Sequence, residues 1–170
     1  MNKIFISLVF LLFFTSHSIA CALLQVPIGT PVSVAKQTFD FLDFYNSQAY
    51  GKVTSAKYTN YAIDYCENSP LENADLEVIV YDSKIAGINL ISSDGEIKKE
   101  IYEFAKFNIS DPGEEFKNEN YLGYKDLSIG SLLMFYSRIE LRGEIVEVLE
   151  ITNSQMSNYA TGEDVVDVTG

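Results

Sequence analysis

Ser33 and Lys36 stand one helical turn apart, and Ser33-Val34-Ala35-Lys36 spells S-x-x-K, the spacing that sets an amine beside a nucleophilic hydroxyl. Ser93-Asp94-Gly95 and Ala160-Thr161-Gly162 echo the companion motifs of that chemistry, but Ala160 occupies the place where a lysine is needed. The chain is also short for the fold that houses it, so the simpler reading is a helix start with a solvent-facing lysine. Carboxylates are the other reactive stock, with 24 Asp and Glu against 12 Lys and Arg. Glu140, Glu144, Glu147 and Glu150 gather near one apparent hairpin, opposed by Arg138 and Arg142. Two carboxyls about 5–10 Å apart beside a cleft would act as acid and base on a glycan. The competing reading is a set of exposed strand positions with cross-strand charge pairs. The acidic loops at 94–96, 111–115 and 162–164 lack the alternating oxygen ligands of an EF-hand, so no metal or other cofactor is expected.

The chain begins with a segment that removes whole classes of chemistry. Lys3 is followed by the apolar run 4–14, the polar stretch 15–18 and small residues, the pattern of a secretion signal over 1–22. The run is too short to cross a bilayer, which takes about 20 residues. Cleavage before Cys21 or after Ala22 is consistent with an ordinary signal peptidase. Ser18-Ile19-Ala20-Cys21 also resembles a bacterial lipobox, with Ser18 where a large aliphatic residue is usual. The single histidine, His17, lies inside this leader, so a mature chain has neither histidine nor tryptophan. Every device that depends on imidazole is then gone, the Ser-His-Asp triad and the histidine-held zinc included. The expected location is extracytoplasmic: periplasmic, anchored in the envelope or secreted. Cys21 and Cys66 are the only cysteines. Either Cys21 is lipidated or lost and Cys66 is a buried thiol, or the two form a disulfide tying the N-terminal arm to the sheet.

The formal charge is −12, and loss of Lys3 takes it to −13. No basic footprint exists for a nucleic acid, and an anionic membrane surface is an equally poor partner. Membrane association would rest on a lipid at Cys21 alone. A basic protein partner suits the charge.

The elements follow from periodicity. Thr30 as N-cap with Pro31 at the first helical position predicts a helix over 31–46, burying Val32, Ala35, Phe39 and Leu42, with Val34, Phe41 and Tyr45 widening the stripe. Residues 54–65 read as a strand, 76–81 and 85–91 as a hairpin turning at Asp82-Ser83. Ser93 and Glu96 have capping-box spacing for a second helix carrying Ile97, Ile101, Phe104 and Ala105. On its wet face Glu96 with Lys99, and Glu103 with Lys106, make i,i+3 pairs. A loop over 108–120 leads to a hairpin over 131–152 with its turn at Arg142-Gly143, and 153–170 reads as a polar, frayed tail. The result is a single α+β domain over 23–152, an antiparallel sheet with about two helices packed on one face. The order also hints at a duplicated helix-plus-hairpin unit.

Pro27-Ile28-Gly29-Thr30-Pro31, its helix and the hairpin to Ile91 resemble small secreted bacterial envelope proteins of the β-lactamase inhibitory protein-like and SmpA/OmlA lipoprotein kind. The resemblance spans 26–91 and implies a non-catalytic, protein-binding module of the cell envelope. All eleven tyrosines lie beyond the leader. Tyrosine offers large contact area with a polar tip, and Tyr58, Tyr61, Tyr65, Tyr121 and Tyr124 are the candidates to line an exposed binding face. Packing beneath the helices is the alternative for the same residues. The function expected is therefore a non-enzymatic binding protein of the inhibitor, immunity or envelope-assembly kind. The alternatives are a histidine-free hydrolase working through carboxylates and a carrier of a small apolar ligand.

Overall fold

Two tight turns organise the molecule. In the computed structural model, residues 21–44, 55–92, 99–160 and 166–167 are described. Asp75–Tyr81 (β2) and Lys84–Ser92 (β3) are joined across Asp82 and Ser83, with φ of 45° and 61°. Leu132–Leu141 (β5) and Glu144–Asn153 (β6) are joined across Arg142 and Gly143, with φ of 56° and 87°. Two successive left-handed residues match the twist of the flanking strands, which is why both hairpins close at these dipeptides. Ser55–Tyr61 (β1) pairs with β2, Gly123–Asp126 (β4) pairs with β5, and β3 pairs with β6. Six strands thus make one antiparallel sheet in the order β4-β5-β6-β3-β2-β1, and Val166–Asp167 (β7) adds a short parallel rung outside β1. With its helices the domain is α+β.

Val32–Ala35 (α1) and Glu100–Asn108 (α2) cover one face of the sheet together with 3₁₀ turns at Asp40–Phe44, Ala62–Tyr65 and Glu114–Lys117. The core between them contains Phe39, Leu42, Leu76, Val78, Ile88, Leu90, Ile101, Phe104, Phe116 and Leu149. Ser157–Ala160 (α3) lies on the opposite face, with its Ala160 over Gly87. A Cβ at Gly87 would stand 3.0 Å from that of Ala160, so glycine is what lets the turn sit down on the strand.

Over its described part the helix expected over 31–46 is instead one α-turn, a hydrogen-bonded turn at 36–38 and a 3₁₀ turn. Its predicted inner stripe is nonetheless buried, at Val32, Ala35, Phe39 and Leu42, whereas Val34 faces solvent. Thr30 does not cap the helix. Gly29 N–H donates to the Ile85 carbonyl and the Thr30 carbonyl accepts from Ile85 N–H, so this segment runs as a bridge beside the start of β3. The pairing of β6 with β3 begins only at Ile88, and residues 29–31 meet β3 at this other end. Gly29, at φ +94°, makes the bend that allows it.

The strand expected over 54–65 stops at Tyr61 and continues as a 3₁₀ turn. The Ser93–Glu96 capping box and Ile97 lie outside the described residues, as does Tyr45. Ile101, Phe104 and Ala105 are buried as their spacing predicts. Lys106 pairs with Asp111 across the helix end, 3.3 Å away, rather than showing the predicted link to Glu103. Within 108–120 the 3₁₀ turn drives Phe116 into the core. Beyond 153 the chain carries α3, whose Tyr159 ring stacks on Tyr81 at 3.7 Å.

Candidate functional site

Arg138 and Glu147 face each other across β5 and β6, and both are fully buried. They are not the exposed charge pair that the sequence suggests. Glu147 accepts from the Tyr136 hydroxyl at 2.7 Å through Oε1 and from Ile101 N–H at 3.2 Å through Oε2. It therefore acts as a carboxylate cap for the first turn of α2, where unpaired amides point at it. Arg138 donates to the Asn118 carbonyl at 2.8 Å and the Phe116 carbonyl at 3.4 Å, holding the 114–118 turn over the sheet. Burial pushes the Glu147 carboxyl above the ordinary carboxylate range, against the pull of Tyr136, the α2 amides and Arg138. Burial beside that carboxylate also raises the Tyr136 phenol. Alongside, Glu100 accepts from both the backbone and the side chain of Asn73, fastening α2 to the loop before β2. Each of these groups is engaged by a partner within the fold. Glu144 and Glu150 sit on the other face of β6, because they differ from Glu147 by an odd number of residues. The four glutamates thus do not converge.

Of the five candidate tyrosines, those on strands separate by the same rule. Tyr58 and Tyr61 are three apart on one strand and point to opposite faces. Tyr58 is 5% exposed and belongs to the core, which removes it from any binding face, and Tyr61 is 64% exposed. Tyr65, in the 3₁₀ turn, packs edge-on against Phe39 and Phe41 at 5.6 and 5.3 Å. Its hydroxyl donates to Asp40 at 2.6 Å and accepts from Asn60 at 3.1 Å. Burial and the Asp40 carboxylate hold that phenol well above its usual range. Tyr65 is a clamp between the 40–44 turn and β1. Tyr121 stacks edge-on against Phe116 at 5.0 Å and covers Gly123, where a Cβ would lie 2.9 Å from its ring. Tyr124, on β4, is 78% exposed and turns to the face away from Tyr121's cluster.

Tyr61 and Tyr124 therefore share one face, and the register puts them in one row. Reading across the sheet from β1 to β4, the neighbours are Tyr61, Asp75, Ile91, Val148, Ser137 and Tyr124. Five strand spacings separate the two rings, about 24 Å. Among the described residues α3 is the one helix on this face, and it lies over Gly87 at one end. The remainder divides in two. The β1–β2 side is polar, with Thr59, Asp75 and Glu77, the last paired to Lys57 at 2.7 Å. Burial and the neighbouring Glu77 raise the Asp75 carboxyl.

The β3–β4 side is largely apolar. Ile91, Val148, Phe135 and Leu133 are half-buried there, and Ile139 and Leu141 continue the strip into the open. No tyrosine except Tyr124 borders this strip among the described residues, so tyrosine positions alone do not reveal it. Counting alternate residues back from the Arg142-Gly143 turn finds most of it.

Cys21 and Cys66 form a disulfide, with Cα atoms 4.5 Å apart, and both are buried. The bond fastens the N-terminal arm, with Leu23 in the core, to the end of the 3₁₀ turn after β1. Among the described residues no group of three or more His, Cys, Asp or Glu is placed to hold a metal ion, and no helix is long and apolar enough to cross a membrane. No protein-family model, curated protein or solved structure matches the chain.

Proposed function

We propose that this chain is a non-enzymatic, extracytoplasmic protein-binding module that engages its partner through the open face of the sheet. The carrying observation is the row ending in Tyr61 and Tyr124, two large aromatic side chains that the fold leaves exposed on one face, where α3 is the one helix among the described residues. Aromatic anchors around an apolar centre are the usual composition of a protein interface. The carboxylates that suggested hydrolysis support this reading by their other employment: Glu147 caps a helix, and Glu144 and Glu150 are on the opposite face from it.

An inhibitor or immunity-type role and an envelope-assembly role both use such a surface. Secretion is favoured by the leader-like start and by a disulfide, which persists in oxidising compartments. A sulfur held in that bond has no thiol for a lipid, which favours an ordinary secreted product. The mirrored strand order, each half a helix followed by three antiparallel strands, favours a duplicated unit.

The test is affinity capture with a bait beginning at Cys21, so that the disulfide forms. It is repeated with a Tyr61→Ala/Tyr124→Ala double variant and with Phe107→Ser, an exposed position on α2 across the sheet. A stoichiometric partner lost with the tyrosine pair and kept with Phe107→Ser is the expected result. A partner held equally by all three proteins overturns the face, and none at all overturns the module.

A further inference from the structure

The apolar half of the open face has dimensions and a charge that select one kind of occupant. Around Phe135 and Ser137 it spans three strand spacings across β3, β6, β5 and β4, about 14 Å, narrowing to β5 and β6 toward Leu141, and from Leu133 to Leu141 it runs about 27 Å. A helix is 10–12 Å wide and rises 1.5 Å per residue, so about 18 residues laid along the strands would fill it. The opposite face of the same sheet already accepts α2. Glu150 stands among these apolar residues, between Asn89 and Phe135 in the register. It makes no ion pair or hydrogen bond with the described residues. Covering it with an apolar surface would strand a carboxylate out of water, which is costly unless the cover brings a cation. Asp75, Asp126 and Glu144 lie around the strip on the same face, while the basic strand residues of that face are Lys57, held by Glu77, and Lys84 at the turn beyond Tyr81.

We infer that the partner presents a cationic amphipathic helix, whose apolar stripe lies on Ile91, Val148, Phe135, Ile139 and Leu141 and whose lysines or arginines meet Glu150 and the flanking carboxylates. This rests on the open-face reading and names the chemistry of what binds there. An apolar stripe at helical spacing meets the strip, and its basic margins meet the acidic rim, as in other helix-in-groove recognition.

The probe is a synthetic 18-residue Leu/Lys amphipathic helix with one tryptophan in its apolar stripe, titrated with the disulfide-bonded protein. The chain has no tryptophan, so the peptide alone reports. Expected are a blue shift on binding and an affinity that falls at least tenfold between low and high salt. A scrambled peptide of the same composition and a Leu/Glu helix should bind at least tenfold more weakly. Ile139→Ser/Leu141→Ser and Glu150→Lys should each weaken binding about tenfold; the first pair is exposed enough to leave the fold intact. Phe107→Ser should not change it. Equal binding of the scrambled peptide, equal loss with Phe107→Ser, or no binding overturns the inference. If capture yields a partner dependent on Tyr61 and Tyr124 while the peptide fails, the helix is wrong and the face stands. Failure of both removes the face as well.

Discussion

Substituting Glu147 with glutamine keeps the shape of the side chain and removes the charge opposite Arg138. It also turns an amide NH2 toward one of the two donors that the carboxylate now satisfies. An NH2 facing a buried donor leaves both groups unsatisfied, and we expect Glu147→Gln to lose about 1–3 kcal/mol in urea unfolding. The pH dependence carries a sign that a surface carboxylate would not give. Folded Glu147 holds its proton to higher pH than the unfolded chain does. Between the ordinary carboxylate value and the raised one, unfolding releases protons, so this residue's contribution to stability falls as pH rises through that window and is flat above it. Asp111 and Asp126, both lowered, act in the other direction and lose stability as pH falls. Melting temperatures of the two proteins between pH 4 and pH 8 separate these effects, because the glutamine variant keeps the second and loses the first. An unchanged profile would falsify the assignment of Glu147 as the buried titrating group.

At the scale of elements, α3 is held on the sheet by the absence of a side chain at Gly87 and by the Tyr159 ring on Tyr81. Gly87→Val places its branched carbons where Ala160 sits. The expected outcome is a loss of about 1–3 kcal/mol and a reduced near-ultraviolet tyrosine signal as the Tyr81–Tyr159 stack opens. The same signal in Gly87→Val as in the parent protein would show that α3 is not seated there.

The hairpins were legible in the sequence because alternation and left-handed turn residues are local properties. The helical stripe at 32–42 was legible as a burial pattern but not as a helix. Its four buried residues meet the core equally well from an α-turn, a looser turn and a 3₁₀ turn, and the Asp40–Tyr65 bond ties the later part to the turn after β1. Tyr58 was misplaced for a simpler reason. Three-residue spacing separates side chains on a strand, so Tyr58 and Tyr61 cannot share a face of β1. The open apolar strip needed the register between β3 and β6, a pairing between the two halves of the chain that no local pattern announces.

For the whole molecule, the Cys21–Cys66 bond closes a 45-residue stretch, and the loop-entropy relation for that length gives about 4 kcal/mol at 25 °C. Both sulfurs are buried, so mild reductant should act slowly on the native protein and quickly once it unfolds. A Cys21→Ser/Cys66→Ser variant should unfold at a distinctly lower urea concentration than the oxidised protein. Coincident curves would mean that the bond contributes nothing. The same bond has a second consequence, one of orientation. Cys21 is tied to the turn that follows β1 and β7 lies along β1's outer edge, so the described segments at 21 and at 166–167 are both moored on one flank of the sheet. The strip on β5 and β6 and the ring of Tyr124 occupy the other flank. A protein held to a surface, a resin or a partner along the β1 flank would therefore turn its apolar strip outward, toward whatever approaches.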